Sequence, residues 1–173
     1  MYKIISSFIF FIIFFCGCDS TEPIVEEKSD IATINQNLVG FSFAHGISIS
    51  IPNSENIVPD ILILAHTDEH GNVLGVFFGA DIIRPAFNLV KEFSEVDSAK
   101  TFFENLSEVP DSNYQDLALP IRVNQIWAVK TIDDKYGKIL ILNETAYYDS
   151  AANNYFTEAK FRWKYQPNGS KLF

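Results

Sequence analysis

The residues able to do chemistry are few: three histidines (His45, His66 and His70), two cysteines (Cys16 and Cys18), and the acidic pairs Asp68-Glu69 and Asp133-Asp134. His66 and His70 stand at i and i+4, the spacing that puts two imidazoles on one helical face for a divalent metal or a haem iron. Asp68 and Glu69 add carboxylates to the same stretch. The apolar run Asp60-Ile-Leu-Ile-Leu-Ala before them and Gly71 after them read as strand and turn instead, where that spacing does not converge on its own. His66, His70 and His45 are therefore the candidate haem or metal ligands, and a solvated hairpin tip is the plainer reading. His45, just before Gly46, reads as a turn residue. No serine sits in a nucleophile-elbow context and no glycine loop could cradle a phosphate. Asp133-Asp134 could be paired carboxylates for glycoside chemistry, but adjacent Asp residues in a hairpin loop are turn formers. The expectation is a protein that is not an enzyme, with no catalytic residues.

Cys18 carries a different chemistry. Lys3 is the only charge before residue 19, and Ile4 to Phe15 is apolar apart from Ser6 and Ser7. A bilayer-spanning helix needs about 20 apolar residues, more than this run offers, so the pattern is that of a signal peptide. The run ends in Cys16-Gly17-Cys18-Asp19, which resembles a bacterial lipobox with Phe15 where Leu is usual. That resemblance implies a diacylglyceryl thioether on Cys18, cleavage after Gly17, and acylation of the new amino terminus. Several acyl chains at about 0.8 kcal/mol per buried CH₂ make a firm anchor. The alternatives are a plain secretory signal cut near Cys18 and an uncleaved anchor. The expected address is the bacterial cell envelope outside the cytoplasm, on the outer membrane, facing the periplasm or the surface, with the lipid bilayer as partner through acylated Cys18.

Cys16 lies in this leader and Cys18 is the anchored residue just after it, so the body has no disulfide framework and no Cys-ligated metal. The 13 basic and 22 acidic residues of the whole chain give a charge of −9, which repels phosphate backbones and disfavours nucleic acid as a partner.

The elements that must position these groups follow from the patterning. Residues 1–17 read as the leader, 18–36 as an acidic tether without sustained period, and 37–173 as one β-rich domain. Phe41 and Phe43, then Ile47, Ile49 and Ile51, alternate with small polar residues and predict two short strands. Residues 60–66 and 73–78 predict a hairpin across Asp68-Glu-His-Gly-Asn72. Residues 81–95 fit either a helix or a strand. Ala99, Phe102, Phe103 and Leu106 form one helical face, with Asp97 able to cap it and Pro110 to end it. The last third predicts a meander of strands at 125–131 and 136–142 and a final strand after the turn at 150–154. In that strand Tyr155, Thr157, Ala159, Phe161, Trp163 and Tyr165 share one face, and Glu158, Lys160, Arg162 and Lys164 the other. The aromatic stripe, with Trp127, Tyr147 and Tyr148, reads as core or as a ligand groove. The fold class expected is mainly β, antiparallel sheets in a meander or sandwich, with one or two short helices.

Three stretches in order carry a family likeness: Leu119-Pro-Ile121; Val129-Lys-Thr131 with Lys135-Tyr-Gly-Lys-Ile139; and Phe161-Arg-Trp-Lys-Tyr-Gln-Pro-Asn-Gly-Ser170. Together they resemble the C-terminal half of the HmuY-like haem-binding lipoproteins and their relatives. The resemblance implies an almost all-β domain on a lipid anchor, taking haem through a pair of axial side chains. The matching half contains no His, and the only Met is the initiator, so axial ligands would have to come from His45, His66 and His70. The functional expectation is a membrane-anchored lipoprotein with a β-rich ligand-binding domain, haem being the candidate ligand. The alternative is an envelope interaction or structural lipoprotein with no small ligand.

Overall fold

A computed structural model describes residues 27–173. The leader and Cys18 lie outside the described residues. The elements run β1 (Lys28–Asn35), β2 (Gly40–Ser42), β3 (Ile47–Ile49), β4 (Ile61–Thr67), β5 (Val73–Gly79), β6 (Phe87–Glu92), α1 (Val96–Asn105), β7 (Leu117–Ala118), β8 (Gln125–Lys130), β9 (Tyr136–Asp149) and β10 (Asn154–Gln166). They form two five-stranded antiparallel sheets, ordered β1-β10-β9-β8-β6 and β3-β2-β4-β5-β7, with no barrel closure. The mainly β expectation is met, with one short helix.

The two sheets close on an aromatic layer. Phe41 and Phe43 from the second sheet meet Phe161, Trp163 and Tyr165 of β10 largely edge to face, at centroid distances of 5.1 to 6.1 Å. Most of the expected stripe is therefore core. Gly137 lets this happen, because a Cβ there would stand 2.7 Å from the Phe43 ring. The strict alternation of β10 fixes its register, shifted once by a bulge between Lys160 and Phe161.

The structure corrects the tether. Residues 28–35 are not a linker but strand β1, paired with β10 from Lys28 opposite Tyr165 to Asn35 opposite Glu158. As an edge strand it needs few apolar side chains, and Ile34 alone is fully buried, which is why its polar sequence hides it. Residues 81–86 form a loop and 87–92 a strand, which resolves the ambiguous stretch. At α1 the cap position belongs to Glu95, without a side-chain cap bond, and Asp97 sits in the first turn. The helix stops at Asn105, before Pro110 is reached.

The helix covers the outer face of the first sheet, where Ala99 and Phe103 pack on Ile126 and Leu140. Its last turn carries no basic residue of its own. The sheet supplies the cations instead. Lys138 on β9, 1% exposed, donates its ammonium to the carbonyls of Phe103 at 2.9 Å and Leu106 at 2.6 Å, where the helix dipole is negative. Its ammonium also lies over the Phe103 and Phe173 rings at 5.1 and 4.8 Å. Arg162 and Lys164 hold Glu104 at 2.8 and 3.2 Å. Charges on the outward face of β10, with Lys138 of β9, thus fasten a helix.

Burial, assisted by the nearby Lys164, pushes the Lys138 ammonium down from 10.5 to about 8. Between those values the unfolded chain binds the proton and the folded chain does not, so stability rises as pH climbs from about 8 to 10.5. Lys138→Met should lose about 1–3 kcal/mol near neutrality, because two helix-end carbonyls lose their donor, and should also lose this alkaline rise. Urea unfolding of both proteins across that range is the check.

Candidate functional site

The candidate site grows out of two hairpin tips. In the β4–β5 turn, the Asp68 carboxylate accepts from the backbone N–H of His70 at 2.9 Å and of Asn72 at 2.8 Å, and from the Asn72 amide at 2.7 Å. These bonds, the Asn72 side chain foremost, hold its carboxyl below the usual carboxylate range. Gly71 turns the chain at φ +82°. The turn is thus pinned by the residue types that make it, and its pinning aims His70 outward.

The second tip is the β9–β10 hairpin. β8 pairs with β9 only over Tyr136–Leu140, and β1 reaches β10 only as far as Glu158, so the hairpin overhangs its own sheet. There Tyr147 stacks on Phe156 at 4.7 Å, and Tyr148 meets Tyr155 at 5.3 Å. The Tyr148 hydroxyl donates to Asn153 Oδ1 at 2.6 Å, while the Tyr155 hydroxyl donates across to the Gly71 carbonyl at 3.2 Å. That last bond closes one tip on the other. Between them lies an open cavity of about 590 Å³, walled by His70, Val73, Ala146, Tyr147, Tyr148 and Tyr155 among others. Such a notch is concave, aromatic and polar at a few points, as small-ligand sites are.

The three candidate histidines do not gather. His66, on β4 opposite Gly75, sets its ring edge to face on Phe77 at 6.5 Å and is not a wall of the notch. His45 lies at the other end of the sandwich, beside the start of β4, and a strand of seven residues separates the ends by about 20 Å. His45 and His70 cannot be axial partners on one iron. Among the described residues no three His, Cys, Asp or Glu side chains form a metal-binding group. Cys18 lies outside them.

His45 has company of another kind. Its Nδ1 stands 3.0 Å from the Ser42 hydroxyl, in a cavity of about 400 Å³ whose walls include Asp60 and Asp133. The residue types are those of a hydrolytic triad, but the geometry is not. Asp60 is 3% exposed and spends its carboxylate on two backbone donors, Phe43 N–H at 2.8 Å and Ile132 N–H at 3.0 Å. It is a fastener, and leaves no orienter for the imidazole. Burial pushes its carboxyl above the usual range, outweighing the two donors and the nearby Arg84 guanidinium. Asp134 takes the positive φ of +58° expected of a turn former and pairs with Lys130 at 2.8 Å.

What the sequence reading missed was the division of the aromatic stripe. Tyr155 shares a face with Phe161 and Trp163, yet it falls where the hairpin outruns the opposing sheet. The length of the two strands was the available signal.

Comparison with protein-family models, with curated proteins and with solved structures returned no match.

Asp60→Ala should cost about 2–4 kcal/mol, because two inward backbone N–H groups lose their acceptor. The notch lies at the opposite end, so the aromatic near-ultraviolet signal of Tyr147, Tyr148 and Tyr155 should survive in the folded fraction. Urea unfolding followed by circular dichroism measures both.

Proposed function

We propose that this chain is a non-enzymatic, lipid-anchored binding protein of the bacterial envelope, held by acylated Cys18, whose ligand site is the aromatic notch between the β4–β5 and β9–β10 tips. The observation that carries the reading is that His70 and three tyrosines, Tyr147, Tyr148 and Tyr155, wall one open cavity. Imidazole and phenolate are both haem-iron ligands, and the flat faces of the tyrosines suit a porphyrin edge. Haem is thus the first ligand to try, with His70 as its candidate axial side chain. The HmuY-like likeness of the C-terminal third supports the same class, as does the leader ending in Cys18. The acidic body disfavours nucleic acid.

A second reading has an observation of its own. Tyr147 and Tyr148 are about half exposed, and rigid tyrosines at a surface are what protein-recognition patches favour. On that reading the notch takes a protein partner in the envelope and no small ligand.

Titration of the Cys18→Ser chain with haem separates the two. A one-to-one Soret change that weakens in His70→Ala and is indifferent to His45→Ala is the expected outcome. A featureless response would move the notch to protein recognition. In cells, the native protein should take up a fatty-acyl label that Cys18→Ser does not; equal labelling of both would end the lipid-anchor reading.

A further inference from the structure

The loop between β5 and β6 carries the two most exposed isoleucines among the described residues, Ile83 at 84% and Ile82 at 60%. Apolar side chains so exposed at a loop tip have no packing role in the fold. The base of the loop is nevertheless firmly held. Arg84 donates to the Lys130 carbonyl at 2.6 Å and to the Asp60 carbonyl at 3.3 Å, and Lys130 N–H donates to the Ala86 carbonyl at 2.8 Å. Just before the loop, Gly79 lies between Leu64 and Leu117, each 41% exposed, so the apolar surface continues onto the outer face of the second sheet.

This is also the end of the sandwich at which the chain enters the fold. Lys28, the first residue of β1, lies opposite Tyr165 and donates its ammonium to the Ala44 carbonyl at 2.7 Å. Ala44 follows Phe43, whose N–H is held by Asp60, whose carbonyl in turn receives Arg84. A continuous set of contacts therefore joins the entry point to the isoleucine loop. Nine residues, ten chain steps, carry Cys18 to Lys28. They span at most about 36 Å, and as a coil about 15–20 Å, comparable to the radius of gyration of about 15 Å for a domain of this size.

We infer that the Ile82–Ile83 loop docks the sandwich, entry end down, onto the lipid bilayer that holds Cys18. The inference rests on the acylated-Cys18 reading. Two isoleucines are too little to hold a free protein on a membrane, since even a single myristoyl chain is marginal. Once the anchor confines the domain, the loop meets the surface at a high effective concentration, and a weak contact is enough to orient it. The charges around the loop nearly balance, with Asp81, Asp133 and Asp134 against Arg84, Lys130 and Lys135. The contact is therefore apolar and indifferent to anionic lipid. It leaves the aromatic notch facing away from the bilayer.

The body contains no cysteine, so single thiols can be placed in it without background. Full-length protein carrying Ile83→Cys or Ala151→Cys, processed in a bacterial host, would be labelled with a polarity-sensitive fluorophore and reconstituted in phosphatidylcholine vesicles containing spin-labelled lipid. The label at residue 83 should shift to the blue and be quenched several-fold more than the label at 151, on the opposite tip. Replacing some phosphatidylcholine by phosphatidylglycerol should leave this unchanged. Equal emission from both positions, on protein whose acylation is established by mass spectrometry, would overturn the docking and leave the anchor reading intact. A blue shift without lipid quenching would put another protein surface on the loop and overturn it too. Unacylated Cys18 would end the anchor reading first, and the docking with it.

Discussion

One buried carboxylate holds the entry end of the sandwich together. Asp60 immediately precedes β4, and its two oxygens take an N–H from each sheet region: Phe43, just after β2, and Ile132, in the turn that joins β8 to β9. The second of these partners is 72 residues away along the chain. Its backbone carbonyl adds Arg84, and through Arg84 the β5–β6 loop. A carboxylate removed from water is costly unless its lone pairs are filled, and here each oxygen is filled by backbone. Turns that would otherwise close independently are thereby set in one arrangement. The position of the tether exit, the isoleucine loop and the His45 cavity all follow from it.

The other end has no such staple. It is made of strand that outlasts its partners, and its order comes from turn chemistry and aromatic contacts: Asp68 on its own turn, Tyr155 on Gly71, Tyr147 on Phe156. Openness is a direct result. A hairpin that overhangs its sheet cannot bury its inner face, so Tyr155, which continues the core stripe of β10, and Tyr148 opposite it on β9 are left lining a notch. The contrast between the ends is thus a contrast in sheet geometry, since aromatic residues of β10 are core where strands of the second sheet pack on them and line a notch where only its turn reaches them.

The sequence was most legible where one face is dry and the other charged. The alternation in β10 made its inward residues readable, and the pinned turn at Asp68 was readable from its residue types alone. It was least legible where a partner does the burying. β1 is written as Lys-Ser-Asp-Ile-Ala-Thr-Ile-Asn and is a strand because β10 has a free edge. β6 defeats period counting because Phe87 and Asn88 are both buried, one in the core and the other with its amide on the Ser112 carbonyl at 2.8 Å. Lys138 reads as solvated on any hydropathy pattern and becomes a helix anchor only once α1 is laid across it. The histidines could not be placed from spacing, because i, i+4 across a strand end and a turn fixes no common direction.

The length of β9 gives these two ends a functional relation. Its fourteen residues, at about 3.3 Å each, make about 45 Å of strand, and the seven of β4 carry the chain about 20 Å from Asp60 toward the His70 turn that shares the notch. On the anchored reading, the notch stands about two Debye lengths or more from the lipid headgroups, whose potential at physiological ionic strength is screened within about 8 Å. A surface potential that would repel an acidic domain, or sequester a charged ligand, does not reach so far. A long hairpin on a short tether is therefore sufficient to present a site without a second domain, and the overhang that makes the notch open is the same feature that makes it remote.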